Sequence, residues 1–181
     1  KISTMGEIKF AAELKELVCS TPGVSRLTGL SEFSGLRKLE IYQADVSDIT
    51  QLSYIRTLHT LWLDNSTQNN IIVEKGFTDL ANLTGLSLLF LGNVGLTDED
   101  AQSIVNALPQ LYTLSLRKSA LTEAPTFSNH PNLTNLYLVD SNINEIDGLL
   151  NLSALKELDL SGNSSLTLPT EGFNFPLLTT L

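Results

Sequence analysis

Six segments of this chain follow one rule, with an aliphatic residue at the first, fourth and sixth places. They are Leu36-x-x-Leu39-x-Ile41, Leu58-x-x-Leu61-x-Leu63, Leu86-x-x-Leu89-x-Leu91, Leu111-x-x-Leu114-x-Leu116, Leu133-x-x-Leu136-x-Leu138 and Leu155-x-x-Leu158-x-Leu160. A motif that returns at short, near-regular spacing specifies a repeat architecture, in which neighbouring units stack to bury a continuous core. The alternation inside each hexad is that of a strand, whose successive side chains point to opposite faces. The leucines therefore face inward. The hexads predict short parallel strands stacked into the sheet of a curved solenoid, with the intervening residues exposed along its concave side.

Such hexads define a leucine-rich repeat solenoid, an α/β fold with a strand on the inside and a return segment on the outside of each coil. From first leucine to first leucine the coils run 22 residues (36 to 58), 28 (58 to 86), 25 (86 to 111), 22 (111 to 133) and 22 (133 to 155). A 22-residue coil leaves room on the convex side for only a 3₁₀ turn or extended chain. In the fifth coil Ile143, Ile146, Leu149 and Leu152 recur every third residue, as such tight winding requires. The third coil is longer. There Thr97 can cap a helix over about 98–108, with Ala101, Ile104, Val105 and Leu108 on one face and Asp98, Glu99 and Asp100 in the first turn. The second coil carries an insertion, Ser66-Thr67-Gln68-Asn69-Asn70, whose position after the strand would let it project over one rim.

At the N-terminus, Phe10, Leu14, Leu17 and Val18 share one face of an amphipathic helix over residues 7–18, which Thr21-Pro22-Gly23 would end. We expect residues 1–23 to form a helical cap and residues 24–181 about six to seven coils, with 24–33 an imperfect coil joining the two. Leu178-x-x-Leu181 stops inside a further hexad with no polar capping segment after it, so a longer protein or a second subunit covering that end is expected. The start at Lys1, without an initiator Met or signal peptide, reads as a mature or trimmed product.

Numbering each hexad from its first leucine, positions 3, 5 and 7 face out of the sheet. Position 5 reads Glu40, Trp62, Phe90, Ser115, Tyr137 and Asp159; position 7 reads Tyr42, Asp64, Gly92, Arg117, Val139 and Ser161; position 3 includes Leu88. Three of six central residues are aromatic, and Trp62 is the only tryptophan of the chain. Exposed aromatics beside charges are typical of binding hot spots, and each can bury about 150–250 Å² on contact. The plainer alternative is that they are strand formers packing on one another. Leu88 and Phe90 beside the small Gly92 suggest an apolar pocket in the middle of the arc. Arg117 and Lys118, near Asp64 and Asp140, would form a polar rim. The candidate ligand-binding residues are thus Tyr42, Trp62, Asp64, Leu88, Phe90, Arg117, Tyr137 and Val139.

Other chemistry is sparse. Eleven basic and twenty acidic residues give a net charge of -9, which disfavours nucleic acid and anionic membranes as partners. No run of eighteen apolar residues exists, so no membrane insertion is expected. His59 and His130 are the only histidines and fall in different coils; no catalytic or metal-binding motif occurs, and neither enzyme activity nor a cofactor or metal is expected. Cys19 is the only cysteine, read as a buried thiol near a helix end, so disulfide-bonded caps are impossible. Of five Asn-x-Ser/Thr sites, Asn82, Asn132 and Asn151 share an Asn-Leu-Thr/Ser element of the repeat and mark convex turns rather than glycans.

From Leu36 onward the hexads, the Ile143-Asn144-Glu145-Ile146 step and Leu155-Lys156-Glu157-Leu158-Asp159-Leu160-Ser161-Gly162-Asn163 resemble the bacterial leucine-rich repeat family that includes the internalins. The resemblance implies a helical cap before the repeats, and a concave face that binds partner proteins through Trp62, Phe90, Tyr137 and their neighbours. It also implies a ninth-position asparagine that ties successive turns together. Here Ala44, Ser66, Val94, Ser119 and Ser141 stand in that place, and Asn163 alone keeps it. The expected function is a non-catalytic protein-binding module of a secreted or cell-surface bacterial protein, with a glycan ligand less favoured. The alternatives are a spacer or assembly domain that self-associates through its C-terminal end, or the recognition domain of an intracellular regulator.

Overall fold

Leucines that alternate with outward residues turn into seven strands of one parallel sheet in the computed structural model, which describes residues 11–20, 22–68, 71–168 and 175–181. The strands are β1 (Glu16–Cys19), β2 (Lys38–Ala44), β3 (Thr60–Asn65), β4 (Leu88–Gly92), β5 (Thr113–Arg117), β6 (Asn135–Val139) and β7 (Glu157–Asp159). They lie side by side in chain order. Equivalent hexad positions face one another across the sheet: Leu39, Leu61, Leu89, Leu114, Leu136 and Leu158 make one inward row. All six are buried. A parallel pair needs a crossover of a dozen or more residues, which each convex return supplies.

The returns take the forms that their lengths dictate. Short 3₁₀ turns occupy Leu30–Glu32, Thr50–Tyr54, Thr78–Asn82 and Asp147–Leu149, and Ile143, Ile146, Leu149 and Leu152 are all buried, matching the three-residue turn. The 25-residue coil instead holds helix α1 (Asp98–Ala107), with Ala101, Ile104 and Val105 against the core. Thr97 closes a capping box: its hydroxyl accepts the Asp100 amide at 3.3 Å, and its own amide donates to the Asp100 carboxylate at 3.1 Å. Asp98 has a further role. Its carboxylate accepts the Thr122 amide at 2.9 Å, the Thr122 hydroxyl at 2.7 Å and the Glu123 amide at 3.3 Å, which fastens α1 to the next coil.

The N-terminal expectation requires correction. Residues 1–10 lie outside the described residues, but where the helix was expected to continue there is a 3₁₀ turn at Ala11–Glu13 and then β1. Glu16 to Cys19 pair in register with Lys38 to Ile41. Leu14-x-x-Leu17-x-Cys19 is therefore a further hexad, 22 residues before Leu36, and the thiol of Cys19 ends a strand rather than a helix, buried as expected. Residues 24–33 are its ordinary return, with Val24, Leu27, Leu30 and Phe33 all in the core. At the other end Thr180 bridges to Glu157, so the last hexad also joins the sheet.

The tie between turns is also richer than expected. At or just beyond the end of five strands one residue turns left-handed: Gln43, Asn93, Lys118 and Asp140 at φ 50–54°, and Gly162 at 76°. β3 lacks that residue, because the register slips so that Ala44 faces Asn65. Asn65, at position 8, thereby takes the inward ninth place. Its side-chain oxygen accepts the Val46 amide at 3.2 Å, and its Nδ2 donates to the carbonyls of Val46 at 2.8 Å and Ile71 at 2.9 Å. Asn163 acts alike, accepting the Ile143 amide and donating to Leu138 and Leu160. Between them Ser141 Oγ accepts the Ser119 amide at 3.4 Å.

Candidate functional site

Strand register decides which outward residues meet. Adjacent strands lie about 4.8 Å apart, close to the stacking distance of aromatic rings, so rings at one position of consecutive strands stack. Trp62 and Phe90 do so, with centroids 4.4 Å apart and planes 14° apart. Tyr42 joins from the neighbouring column, 5.4 Å from Trp62 and tilted by 51°. The three rings pack on one another and stay half-buried, presenting one aromatic ridge across β2, β3 and β4. Tyr137 stands apart, because Ser115 of β5 intervenes between it and Phe90. Asn135 Nδ2 donates to the Tyr137 hydroxyl at 3.4 Å and to the Glu157 carboxylate at 2.7 Å.

The space above Gly92 is not an apolar pocket. Gly92 sits between Asp64 and Arg117 in register, and a Cβ there would lie 2.6 Å from the Asp64 carboxylate. The missing side chain lets Asp64 reach across a strand to the Arg117 guanidinium at 3.7 Å. An ion pair fills the place where an apolar hollow was expected. Leu88, between Thr60 and Thr113, is half-buried one step to the side and lines none of the clefts described below.

Arg117 and Lys118 separate two clefts. One, of about 440 Å³, is lined by Trp62, Phe90, Ser115, Tyr137 and Val139, with Arg117, Lys118, Asp140 and Asp159 around them. The other, of about 270 Å³, lies under the insertion, between Asp64, Ser66, Thr67 and Gln68 on one side and Arg117 and Lys118 on the other. The insertion is anchored where it leaves β3, because Asn93 Nδ2 donates to the carbonyls of Asn65 and Ser66; Asn69 and Asn70 lie outside the described residues. Burial, then the Glu40 carboxylate, pushes the Tyr42 phenol up; burial, then Glu157, does the same to Tyr137. Both phenols are neutral hydrogen-bonding groups at neutral pH.

Both histidines contact backbone carbonyls. His59 Nδ1 meets the Thr57 carbonyl at 2.8 Å, while His130 is buried, its Nε2 on the Val105 carbonyl at 3.0 Å and its ring edge-on to Phe127. No group of three His, Cys, Asp or Glu among the described residues could hold a metal, and no helix among them is long and apolar enough to cross a membrane. Asn65 and Asn163 are buried in backbone hydrogen bonds, whereas Asn82, Asn132 and Asn151 are exposed on turns. Ser115 was not among the residues singled out from the sequence, yet it lines the larger cleft as the small member of an aromatic column.

No protein-family model matches the chain, and no curated protein matches it in sequence. Solved structures do. The functional domain of InlJ from Listeria monocytogenes, which includes a cysteine ladder, aligns with a TM-score of 0.74 at 20% identity, over 97% of this chain and 36% of that one. Internalin C2 of Listeria monocytogenes strain 4b F2365 aligns with a TM-score of 0.74 at 22% identity, over 99% of this chain and 76% of that one. This chain has an internalin-like leucine-rich repeat fold. The internalin-like solenoid spans about a third of the InlJ structure and about three quarters of internalin C2. With Cys19 as its only cysteine it has no cysteine ladder, and Asn65, Ser119, Ser141 and Asn163 bind its turns instead. The ectodomain of the Arabidopsis thaliana receptor kinase GASSHO1/SCHENGEN3, in complex with CASPARIAN STRIP INTEGRITY FACTOR 2, is also similar, with a TM-score of 0.54 at 20% identity over 83% of this chain and 21% of that one.

Proposed function

We propose that this solenoid is a non-catalytic protein-binding module of a secreted or surface bacterial protein, and that its ligand docks on the concave face. The observation that carries this reading is the ridge Tyr42–Trp62–Phe90, three rings packed in series through Trp62 yet only half-buried. Rings already fixed by their neighbours lose little rotamer freedom on binding, so they suit hot spots. Asp64, Arg117, Tyr137 and Val139 surround the ridge and Leu88 flanks it, which gives a polar rim with apolar patches. The likeness to internalins, and to a receptor ectodomain held in a complex, supports the same reading.

The test selects displayed protein fragments on the wild-type solenoid and remeasures them on Trp62→Ala, Phe90→Ala and, as a convex control, Leu150→Ser. The concave substitutions are expected to weaken binding by about tenfold or more, and the control to leave it unchanged. Equal affinities for all four proteins, with matching circular dichroism, would overturn the reading. Surface placement is tested separately by protease shaving of intact cells of the source organism and mass spectrometry of the released peptides.

A further inference from the structure

The aromatic column is interrupted once. From β3 to β6 its members are Trp62, Phe90, Ser115 and Tyr137, held opposite one another by the register. Trp62 and Phe90 show that one ring per strand fills this column. At β5 it carries a hydroxymethyl group in place of a ring. Ser115 is 3% exposed, so it forms a floor, with Phe90 and Tyr137 on either side of it in the 440 Å³ cleft. Among the described residues Trp62 is the one aromatic ring packed on Phe90, which leaves the Ser115 side of the Phe90 ring without one.

We infer that this gap is a subsite for one aromatic side chain of the ligand polypeptide, inserted over Ser115 between Phe90 and Tyr137. The inference rests on the concave-face reading and gives it a chemistry. Two strand spacings, about 9.6 Å, separate β4 from β6. One ring placed between two others at centroid distances of about 4.5–5 Å needs that span. An aliphatic group would fill the volume without stacking on the open side of the Phe90 ring. A guanidinium is flat and also stacks on rings, but two cations, Arg117 and Lys118, and two carboxylates, Asp140 and Asp159, line the cleft. Arg117 is already engaged by Asp64 and Lys118 makes no ion pair among the described residues, so an incoming guanidinium meets a standing cation as well as the two carboxylates, whereas a neutral ring needs neither.

The experiment titrates the isotope-labelled solenoid with N-acetyl-tyrosinamide, N-acetyl-argininamide and N-acetyl-leucinamide, following amide signals by NMR. The tyrosine probe is expected to give saturable shifts centred on Ser115, Phe90 and Tyr137, and to bind at least about threefold tighter than the other two. Ser115→Tyr, which completes the column from within, is expected to abolish those shifts. The inference is overturned if the arginine or leucine probe binds as tightly, if the tyrosine probe gives no saturable shift, or if a folded Ser115→Tyr protein still takes it. Should Ser115→Tyr fail to fold, the three wild-type titrations decide alone. A selected protein ligand that is lost on Trp62→Ala but kept on Ser115→Tyr overturns the subsite while leaving the concave-face reading intact. Insensitivity to both Trp62→Ala and Phe90→Ala overturns the concave-face reading and, because Phe90 is one wall of the gap, the subsite with it.

Discussion

Asn65 makes three hydrogen bonds with one buried side-chain amide, all of them to backbone. Asn65→Ala strands the Val46 amide and two carbonyls, and is expected to cost about 3 kcal/mol in urea unfolding, since each buried group left unpaired costs about 1–3 kcal/mol. His130 makes a prediction in pH. Burial holds its imidazole below the ordinary value of 6.5, against the weaker upward pull of the Val105 carbonyl, and its Nδ1 has no partner among the described residues. The unfolded chain therefore takes up a proton before the folded one does. Stability is full above about pH 6.5 and declines as pH falls from there toward the depressed folded value. Urea midpoints between pH 7.5 and 5 should show that decline, and His130→Gln should flatten it. Residue-scale features were the least legible in the sequence. Asn65 escaped because a one-residue slip moved it from position 8 to the inward place. Gly92 misled because a gap in a side-chain row says nothing of which neighbour fills it; here a carboxylate does.

Elements were more legible, wherever one signal had no rival. Helix α1 was readable from Thr97, the acidic first turn and the spacing of Ala101, Ile104 and Val105, and the structure places it at Asp98–Ala107. Thr97→Ala removes a cap that accepts the Asp100 amide and is expected to cost about 1 kcal/mol, measured by thermal melting. Asp98 adds a pH term of opposite kind to that of His130. Burial pushes its carboxyl up, but the Thr122 hydroxyl and the amides of Thr122 and Glu123 more than offset this, so the net shift is downward. Its stabilising effect is present above the unfolded carboxyl range and lost as pH falls through the lowered folded value. Asp98→Asn should therefore remove part of the acid sensitivity below about pH 4. Strand β1 was misread because Leu14 and Leu17 satisfy helical and hexad spacing alike, and Val18, an exposed fifth position, completed the helical face. What separates the two is Cys19 in the sixth place, a small buried residue where the other copies carry leucine or isoleucine.

At the scale of the whole molecule each strand pairs only with its chain neighbours, so stability is a sum of coils and the interfaces between them. Leu114, wholly buried in β5, links the four strands before it to the two after it. Leu114→Ala is expected to cost about 3 kcal/mol and to split or broaden the unfolding transition in calorimetry, whereas a single sharp transition would show tighter coupling than nearest-neighbour stacking provides. The coil plan was legible at this scale because leucine spacing alone fixes it, while the proposed recognition was not, since it is assigned to the residues that spacing leaves free. The aromatic ridge also has a mechanical consequence. Curling the arc inward brings side chains on the concave side together, and between β3 and β4 the rings are already in contact at 4.4 Å, so that stretch acts as a stop against compression. Across β5 the small Ser115 leaves a yielding joint. That stop is local to Trp62 and Phe90, and a ring seated over Ser115 is expected to extend it across β5 and to resist further curling of the arc there.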